Sequence, residues 1–383
     1  MRRPSRAARL ATLLALAVAG SIAGCGAPIL ANPPAPTGAP IDKPTPRPSA
    51  ADPIAIELPR DDAPHDRLTE WWYVTGHLQA ADGRRFGYEF VVFRAERGGF
   101  PVTWASHVAL TEKPSPGRSG SFAYDERSEV GPQVDVAPIF SSPVAAAFSI
   151  SGTNPLDPST VGRDPWTMVL RPGGSMLLSA AGIDLQLDAG RAPVLHDDDG
   201  WVAFADAGGS YYYSRTRMPT RGTIGVDGAQ LAVSGSSWFD HQWGDFIAIG
   251  GGGWDWFALN LGDGSDLMLS FVRDARGATA LSYGTLVRPD GAVRRIDGSE
   301  IDLVATGTWT SPATGTTWPS GWRLAIASIG LAATIDPEIP DQELDTREST
   351  GVVYWEGASS VRGSLAGRPI AGQAYVELTG YAR

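Results

Sequence analysis

Six Asp-Gly pairs are spread along this chain, and they constrain its fold more than any other feature of the sequence. Asp-Gly favours tight hairpin turns, because glycine adopts a positive φ without steric cost. The runs between these turns are short and rich in aromatic and β-branched residues, at positions 70–78, 86–94, 104–111, 166–170, 211–217, 254–261, 267–272 and 375–378. No sustained helical periodicity follows the N-terminal apolar stretch. The pattern predicts an all-β protein whose antiparallel strands close into barrels, since closure removes exposed sheet edges.

The N-terminus is typical of a bacterial lipoprotein signal peptide. Four arginines within residues 2–9 precede an apolar stretch at 10–23, and Gly24 is followed by Cys25, the only cysteine of the chain. The apolar stretch is shorter than the roughly 20 residues that a membrane-spanning helix needs. We therefore expect a signal peptide at residues 1–24 and lipidation of Cys25, which would anchor an exported protein to a membrane of the cell envelope.

A tether and two domains are expected beyond the signal peptide. Residues 25–53 contain nine prolines, a composition that favours extended polyproline II and cannot bury a core. The remaining residues, 54–383, are more than a domain with a single hydrophobic core usually contains. We predict an N-terminal domain at 54–232 and a C-terminal domain at 233–383.

Charge and motif content exclude several classes of function. The net charge is −11, and an acidic surface repels phosphate backbones, so nucleic acid is not an expected partner. The five histidines form no HExxH or HxH pair and no CxxC pair is present, so the sequence predicts no metal site. A GxSxG motif is also absent, which argues against a serine hydrolase.

Two predicted strands carry aromatic and ionisable side chains on one face, as alternation along a strand dictates. In residues 70–78, that face carries Glu70, Trp72, Val74 and Leu78. In residues 211–217, it carries Tyr211, Tyr213, Arg215 and Arg217. Such faces favour a barrel that lines a cavity for a large apolar ligand over one filled with aliphatic side chains.

A series of sequence blocks, in order along almost the whole folded chain, resembles one known family. The blocks are 70–78, 86–94, 106–111, 211–215, 353–357, 374–381 and the most distinctive one, Ser237-Trp238-Phe239-Asp240-His241-Gln242-Trp243-Gly244. They resemble the family that contains hydroxyneurosporene synthase (carotenoid 1,2-hydratase) and AttH.

The resemblance implies two consecutive lipocalin-like antiparallel β-barrel domains and an apolar small-molecule ligand, isoprenoid or polyketide-like, without a cofactor. It also implies that His241 and Trp243 belong to an active site in hydratase members. The wider family includes carotenoid hydratases, fungal enzymes that steer intramolecular cycloadditions and bacterial members of unassigned role. Membership therefore does not choose the reaction.

The central block contains the groups that hydration of a carbon–carbon double bond requires. A carboxylic acid protonates the alkene if burial raises its pKa, and aromatic faces stabilise the resulting cation. We predict Asp240 and His241 as a proton-handling pair, with Trp243 supporting the cation. The two side chains of such a pair point to opposite faces of a regular strand, so a bulge or turn would be needed to join them.

Other interpretations of the block stay open. Asp240 and His241 could join the two domains, with Trp238 and Trp243 in the core, or they could contact a ligand without catalysis. The candidate ligand-binding residues are Glu70, Trp72, Tyr88, His107, Tyr213, Arg215, Trp238 and Trp254. Glu70 could instead form a buried pair with Arg215, and His107 could be a hydrogen-bonded core histidine.

These features support a lipid-anchored envelope protein that binds an apolar small molecule. In the enzymatic version it is a hydratase or cyclase that acts on a double bond. The alternative is a non-catalytic carrier or chaperone of lipids, and a structural envelope protein is a third hypothesis.

Overall fold

The computed structural model describes residues 52–97, 101–130, 144–152, 160–204, 208–246, 251–274 and 276–382. Residues 1–24, Cys25 and all of the tether except Asp52 and Pro53 lie outside these ranges. No helix within the described ranges is long and apolar enough to cross a membrane. Within these ranges, short 3-10 helices lie at Arg60–Asp62, Gly298–Glu300 and Ala327–Ile329.

The first sheet contains the strands up to residue 244. Its strands are β1 (Thr69–Ala80), β2 (Arg85–Ala95), β3 (Thr103–Glu112), β4 (Ser121–Val130), β5 (Ala146–Ile150), β6 (Trp166–Leu170), β7 (Met176–Ala180), β8 (Ile183–Leu187), β9 (Val194–Leu195), β10 (Trp201–Ala203), β11 (Gly209–Val226) and β12 (Ala229–Gly244). The order is β4-β3-β2-β1-β12-β11-β8-β7-β6-β5, with β9 and β10 paired to β11. Because β3 and β4 approach β5, the sheet curls into a nearly closed barrel.

The second sheet contains the strands from residue 251 onward. They are β13 (Gly251–Leu261), β14 (Asp266–Asp274), β15 (Thr279–Val287), β16 (Val293–Asp297), β17 (Ile301–Thr310), β18 (Thr317–Ile326), β19 (Leu331–Pro337), β20 (Glu343–Thr346), β21 (Val352–Leu365) and β22 (Arg368–Leu378). The order is β16-β15-β14-β13-β22-β21-β19-β18-β17, with β20 paired to β21. The strand pairs of both sheets are antiparallel, so the predicted all-β antiparallel class is confirmed.

The change from one sheet to the other falls between Gly244 and Gly251. Strand β12 pairs with β1 as far as Gly244, so the boundary predicted between residues 232 and 233 lies within this strand. The predicted domain limits therefore differ from the division between the sheets. The block 237–244 belongs to the first sheet, where hydrogen bonding to β1 and β11 fixes it.

Each sheet has its own apolar core, and a third cluster lies between them. The first core includes Trp72, Phe90 and Phe148, and the second is formed by residues of β13–β22. The third cluster joins Tyr73 and Trp238 of the first sheet with side chains of the second. Gly87 lets the sheets approach closely, because a Cβ atom at this position would lie 2.3 Å from the Cβ of Ala358.

Along β1 the side chains lie on the faces that were predicted, whereas on β11 one side chain does not. Trp72 and Val74 point into the first core, as alternation requires. On β11, a bulge between Arg215 and Met218 interrupts the alternation, and Arg217 has a φ of 50°. Arg217 therefore leaves the predicted face, and its guanidinium lies 2.7 Å from the carboxylate of Asp266 in the second sheet.

Candidate active site

A cleft between the two sheets brings acidic and aromatic side chains together. Its space large enough to admit a water molecule is about 50 Å³. The first sheet contributes Trp71, Tyr73, Glu89, Phe93, Tyr212 and Asp240 to its walls. The second contributes Trp254, Trp256, Tyr283, Tyr354, Glu356 and Glu377. Both sheets expose to the cleft the face opposite their own core, so strand alternation decides which residues reach it.

Three glutamates of the cleft come from strands that are distant in the sequence. Glu89 lies on β2, and the neighbouring strands β21 and β22 place Glu356 opposite Glu377. Glu89 and Glu356 are fully buried, whereas Glu377 is partly exposed. Buried carboxyl groups that face one another cannot all be ionised at neutral pH, because desolvation and mutual repulsion both disfavour the charged form.

The pKa values of these glutamates reflect that crowding. Burial, with the charge of Glu377, raises the pKa of Glu89 to about 8. Burial and the neighbouring glutamates hold the pKa of Glu356 well above its usual range. Burial also raises the pKa of Glu377 to about 7. Burial and the mutual repulsion of these glutamates therefore favour the protonated form of Glu89 and Glu356.

Glu89 differs from Glu356 in one respect that matters for proton transfer. Both carboxyl oxygens of Glu356 accept from the hydroxyl of Tyr73, at 2.8 and 3.0 Å. The Oε1 atom of Glu89 accepts from the hydroxyl of Tyr354 at 3.0 Å, but its buried Oε2 atom has no partner among the described residues. A protonated Glu89 therefore carries an acidic hydrogen that no protein group holds.

Asp240 is a fourth buried acid in the cleft, in a different environment. Its carboxylate accepts from the indole of Trp238 at 2.6 Å, from the hydroxyl of Tyr212 at 2.5 Å and from the hydroxyl of Ser214. Burial raises its pKa to about 7, while these three donors favour the ionised form. Asp240 is thus better suited than Glu89 to carry a negative charge.

Aromatic rings form the remaining walls of the cleft. The rings of Trp71 and Trp254 stack across the two sheets with centroids 6.1 Å apart. Trp256 meets Tyr73 edge to face at 5.4 Å and Trp238 at 6.2 Å. Such faces attract a cation electrostatically, most strongly where water is excluded.

The predicted pair of Asp240 and His241 is separated by the structure. Strand β12 is regular through both residues, and the bulge in this part of the sheet lies on β11. Asp240 therefore faces the cleft, whereas His241 and Trp243 face the interior of the first barrel. There the Nε2 atom of His241 lies 2.8 Å from Oε1 of Glu70, so Glu70 does not pair with Arg215 as the sequence had suggested.

The other predicted ligand-binding residues divide between the same two places. Inside the first barrel, Trp72 stacks on His241, Tyr88 hydrogen bonds to Ser237, and Tyr213 donates to Asp62. Arg215 is also buried there.

At the junction of the sheets, Trp254 lines the cleft and Trp238 donates to Asp240. His107 lies beside the cleft, where its Nδ1 atom is 2.7 Å from the hydroxyl of Tyr354.

Sequence reasoning missed the three glutamates as candidates. Each stands alone among apolar and aromatic neighbours within a strand: Glu89 in block 86–94, Glu356 in block 353–357 and Glu377 in block 374–381. An isolated carboxylate in a strand that is buried on both faces is a signal that could have identified them.

Comparisons with known proteins agree with this architecture. A model of the AttH-like family matches residues 49–381. The crystal structure of a protein described as AttH from Nitrosomonas europaea is 28% identical, covers 86% of this chain and 98% of its own, and has a TM-score of 0.69. Kievitone hydratase from Nectria haematococca is 18% identical, covers 86% and 94%, and shares the fold with a TM-score of 0.61.

None of the curated proteins matches the chain. The family model, however, spans nearly all of the described residues and includes every sequence block that carried the resemblance. The chain belongs to the AttH-like family.

Proposed function

We propose that this protein is a hydratase that adds water to a carbon–carbon double bond of an apolar, isoprenoid-type small molecule bound in the cleft. The observation that carries the proposal is the free, buried Oε2 atom of Glu89, a residue that stays protonated at neutral pH. The name of kievitone hydratase, a structural neighbour, agrees with this class of reaction, although its low identity supports the fold alone.

The first step is protonation of the double bond. The hydrogen on Oε2 of Glu89 moves to one alkene carbon, so an O–H bond and the π bond break, a C–H bond forms, and Glu89 becomes a carboxylate. The positive charge stays on the more substituted carbon. A glutamate is an effective acid for such a step when burial raises its pKa to near neutral pH.

The aromatic walls stabilise the cation that results. Cation–π attraction is worth about 2 kcal/mol or more where the ring is desolvated. Trp71, Trp254 and Trp256 present such faces in the cleft. The exposed surface of the cleft walls is mostly apolar, which favours an isoprenoid chain over a polar substrate.

Addition of water completes the reaction. Asp240, whose three hydrogen-bond donors favour ionisation, accepts one proton from the attacking water while the oxygen bonds to the cation. The product is a tertiary alcohol. Exchange of protons with solvent returns Glu89 to its acidic form and Asp240 to its ionised form, so the cycle needs no redox partner.

The test is incubation of the full-length protein in detergent with a panel of prenylated and linear isoprenoid alkenes, including kievitone, in ¹⁸O-labelled water. We expect at least one compound to gain one molecule of labelled water, as detected by mass spectrometry. If the protein binds such compounds but converts none of them, it would instead be the non-catalytic carrier of the alternative hypothesis. Cyclised products without added oxygen would assign the cleft to a cyclase.

We further propose that the protein acts at a membrane of the cell envelope through lipidated Cys25. The support is the apolar stretch that ends in Gly24-Cys25 and the proline-rich tether behind it. A Cys25→Ser variant should leave the membrane fraction or accumulate as uncleaved precursor, as measured by fractionation and intact-mass analysis. Normal processing and membrane retention of this variant would contradict the anchor.

A further inference from the structure

A second cluster of ionisable residues lies inside the first barrel, away from the cleft. His65, Glu70 and His241 direct one ligand atom each to a common point, with these atoms all within 4.8 Å of one another. The Nδ1 atom of His65 is 2.7 Å from Oε1 of Glu70, and Nε2 of His241 is 2.8 Å from the same oxygen. Glu70 and His241 are fully buried, and the side chain of His65 is 20% exposed.

Aromatic rings hold both imidazoles in place. Trp243 stacks on His65 with an interplanar angle of 1° and centroids 4.2 Å apart. Trp72 stacks on His241 at 4.7 Å, and its indole also donates to the backbone oxygen of Asp62 at 2.9 Å. The two rings are therefore oriented by packing, which is what a preformed ligand set requires.

Two consecutive carboxylates lie behind the imidazoles. Asp61 and Asp62 belong to the 3-10 helix Arg60–Asp62, and Oδ1 of Asp61 is 3.6 Å from the outer nitrogen of His65. Asp62 is fully buried and influences His241 electrostatically. Oδ2 of Asp62 and Nδ1 of His241 are both buried without a hydrogen-bond partner among the described residues. Histidines that bind metals usually direct their second nitrogen to a carboxylate, directly or through water.

We propose that His65, Glu70 and His241 bind one divalent transition-metal ion of the zinc type. Two imidazole nitrogens and one carboxylate form a ligand set that zinc accepts, with a fourth position left for water. Calcium and magnesium prefer oxygen ligands only, so the two nitrogens select against them. A small surface pocket lined by Asp61, His65 and Arg67 gives access to the cluster.

Admitting the ion requires the three ligand atoms, which now lie within 4.8 Å of one another, to take nearly equal spacings. Zinc bonds of about 2.0–2.2 Å place tetrahedral ligand atoms roughly 3.3 Å apart. The two contacts of Glu70 would therefore widen by roughly half an ångström. The proton on Nε2 of His241 would be displaced, and the neutral ring would then carry its proton on Nδ1, an atom that has no hydrogen-bond partner among the described residues.

The test uses the full-length protein, stripped of metal with a chelator, and titrated with Zn²⁺ alone by calorimetry. We expect one ion per chain, and with Co²⁺ the visible absorption bands of a tetrahedral site. His65→Ala should weaken Zn²⁺ binding by more than about 100-fold, and Asp61→Asn by about 10- to 100-fold, as expected for a supporting carboxylate. His65 is partly exposed, so its variant should fold, which circular dichroism checks.

Asp199→Asn is the matched control, because Asp199 lies in an exposed acidic loop outside the cluster and should leave Zn²⁺ binding unchanged. Equal affinity in the wild type and in His65→Ala, or no binding at all, would overturn the proposal. Neither result would affect the proposed hydration in the cleft, since the two sites share no residue.

Discussion

Replacing Glu89 with glutamine should lower the rate of hydration by roughly 10²–10⁴-fold, the usual cost of losing a general acid. Glutamine has the same shape and still accepts the hydrogen bond from Tyr354, but it has no acidic hydrogen on the atom that replaces Oε2. Turnover of the best compound in the ¹⁸O assay measures the effect. Ligand affinity and the melting temperature at pH 5 should stay close to those of the wild type.

The control for this variant is Glu129→Gln. Glu129 is a partly buried glutamate on β4 that accepts hydrogen bonds from Ser151 and does not line the cleft, so its variant should keep full activity. If Glu89→Gln turned over substrate at the rate of the wild type, Glu89 would not be the acid. If it lost ligand binding and stability together, the glutamates would be a structural junction between the sheets.

The same substitution should change how stability depends on pH. In the native state the pKa of Glu89 is raised to about 8, whereas in the unfolded chain it lies near the ordinary value of 4.5 for a glutamate. Between these values the native state binds more protons than the unfolded state. The contribution of Glu89 to the free energy of unfolding is therefore fully present below about pH 4.5, and it is lost as the pH rises through about 8.

We expect the melting temperature of Glu89→Gln to exceed that of the wild type increasingly between pH 5 and pH 9. One pKa unit corresponds to about 1.4 kcal/mol, so the difference in stability at pH 9 should reach a few kcal/mol. Buried histidines such as His107 and His196, whose pKa values burial lowers to about 3, affect both proteins equally and cancel in the comparison. Parallel melting curves across this range would show that the pKa of Glu89 is not raised.

The fold could be predicted to the level of class and strand faces. Alternation along β1 correctly separated Trp72 from Tyr73, because a strand turns successive side chains to opposite faces whatever surrounds it. The face predicted for Arg217 was wrong, because a bulge adds a residue to the strand there. No local signal in the sequence marks this bulge. The extent of the first sheet depends on a long-range pairing, because β12 continues through the predicted domain boundary to pair with β1 as far as Gly244.

The candidate site was predicted only in part. Asp240 reaches the cleft, but its predicted partner His241 does not, because β12 is regular here and the bulge needed to join the two side chains is absent from this part of the strand. The sequence also gave no indication of the metal site proposed above, because histidine spacing was judged along the sequence. His241 reaches Glu70 through the pairing of β12 with β1, in which Trp72 lies opposite His241.

The local features of this protein follow from the amino-acid sequence: antiparallel strands between Asp-Gly turns, the two faces of each regular strand, and the blocks that carry the family resemblance. Each depends on neighbours a few residues apart. Only the tertiary structure decided that Glu89 meets Glu356 and Glu377, and that His65 meets Glu70 and His241. The packing of the two sheets and burial bring those groups together. Burial also raises the pKa of a glutamate toward neutral pH, where it can act as an acid.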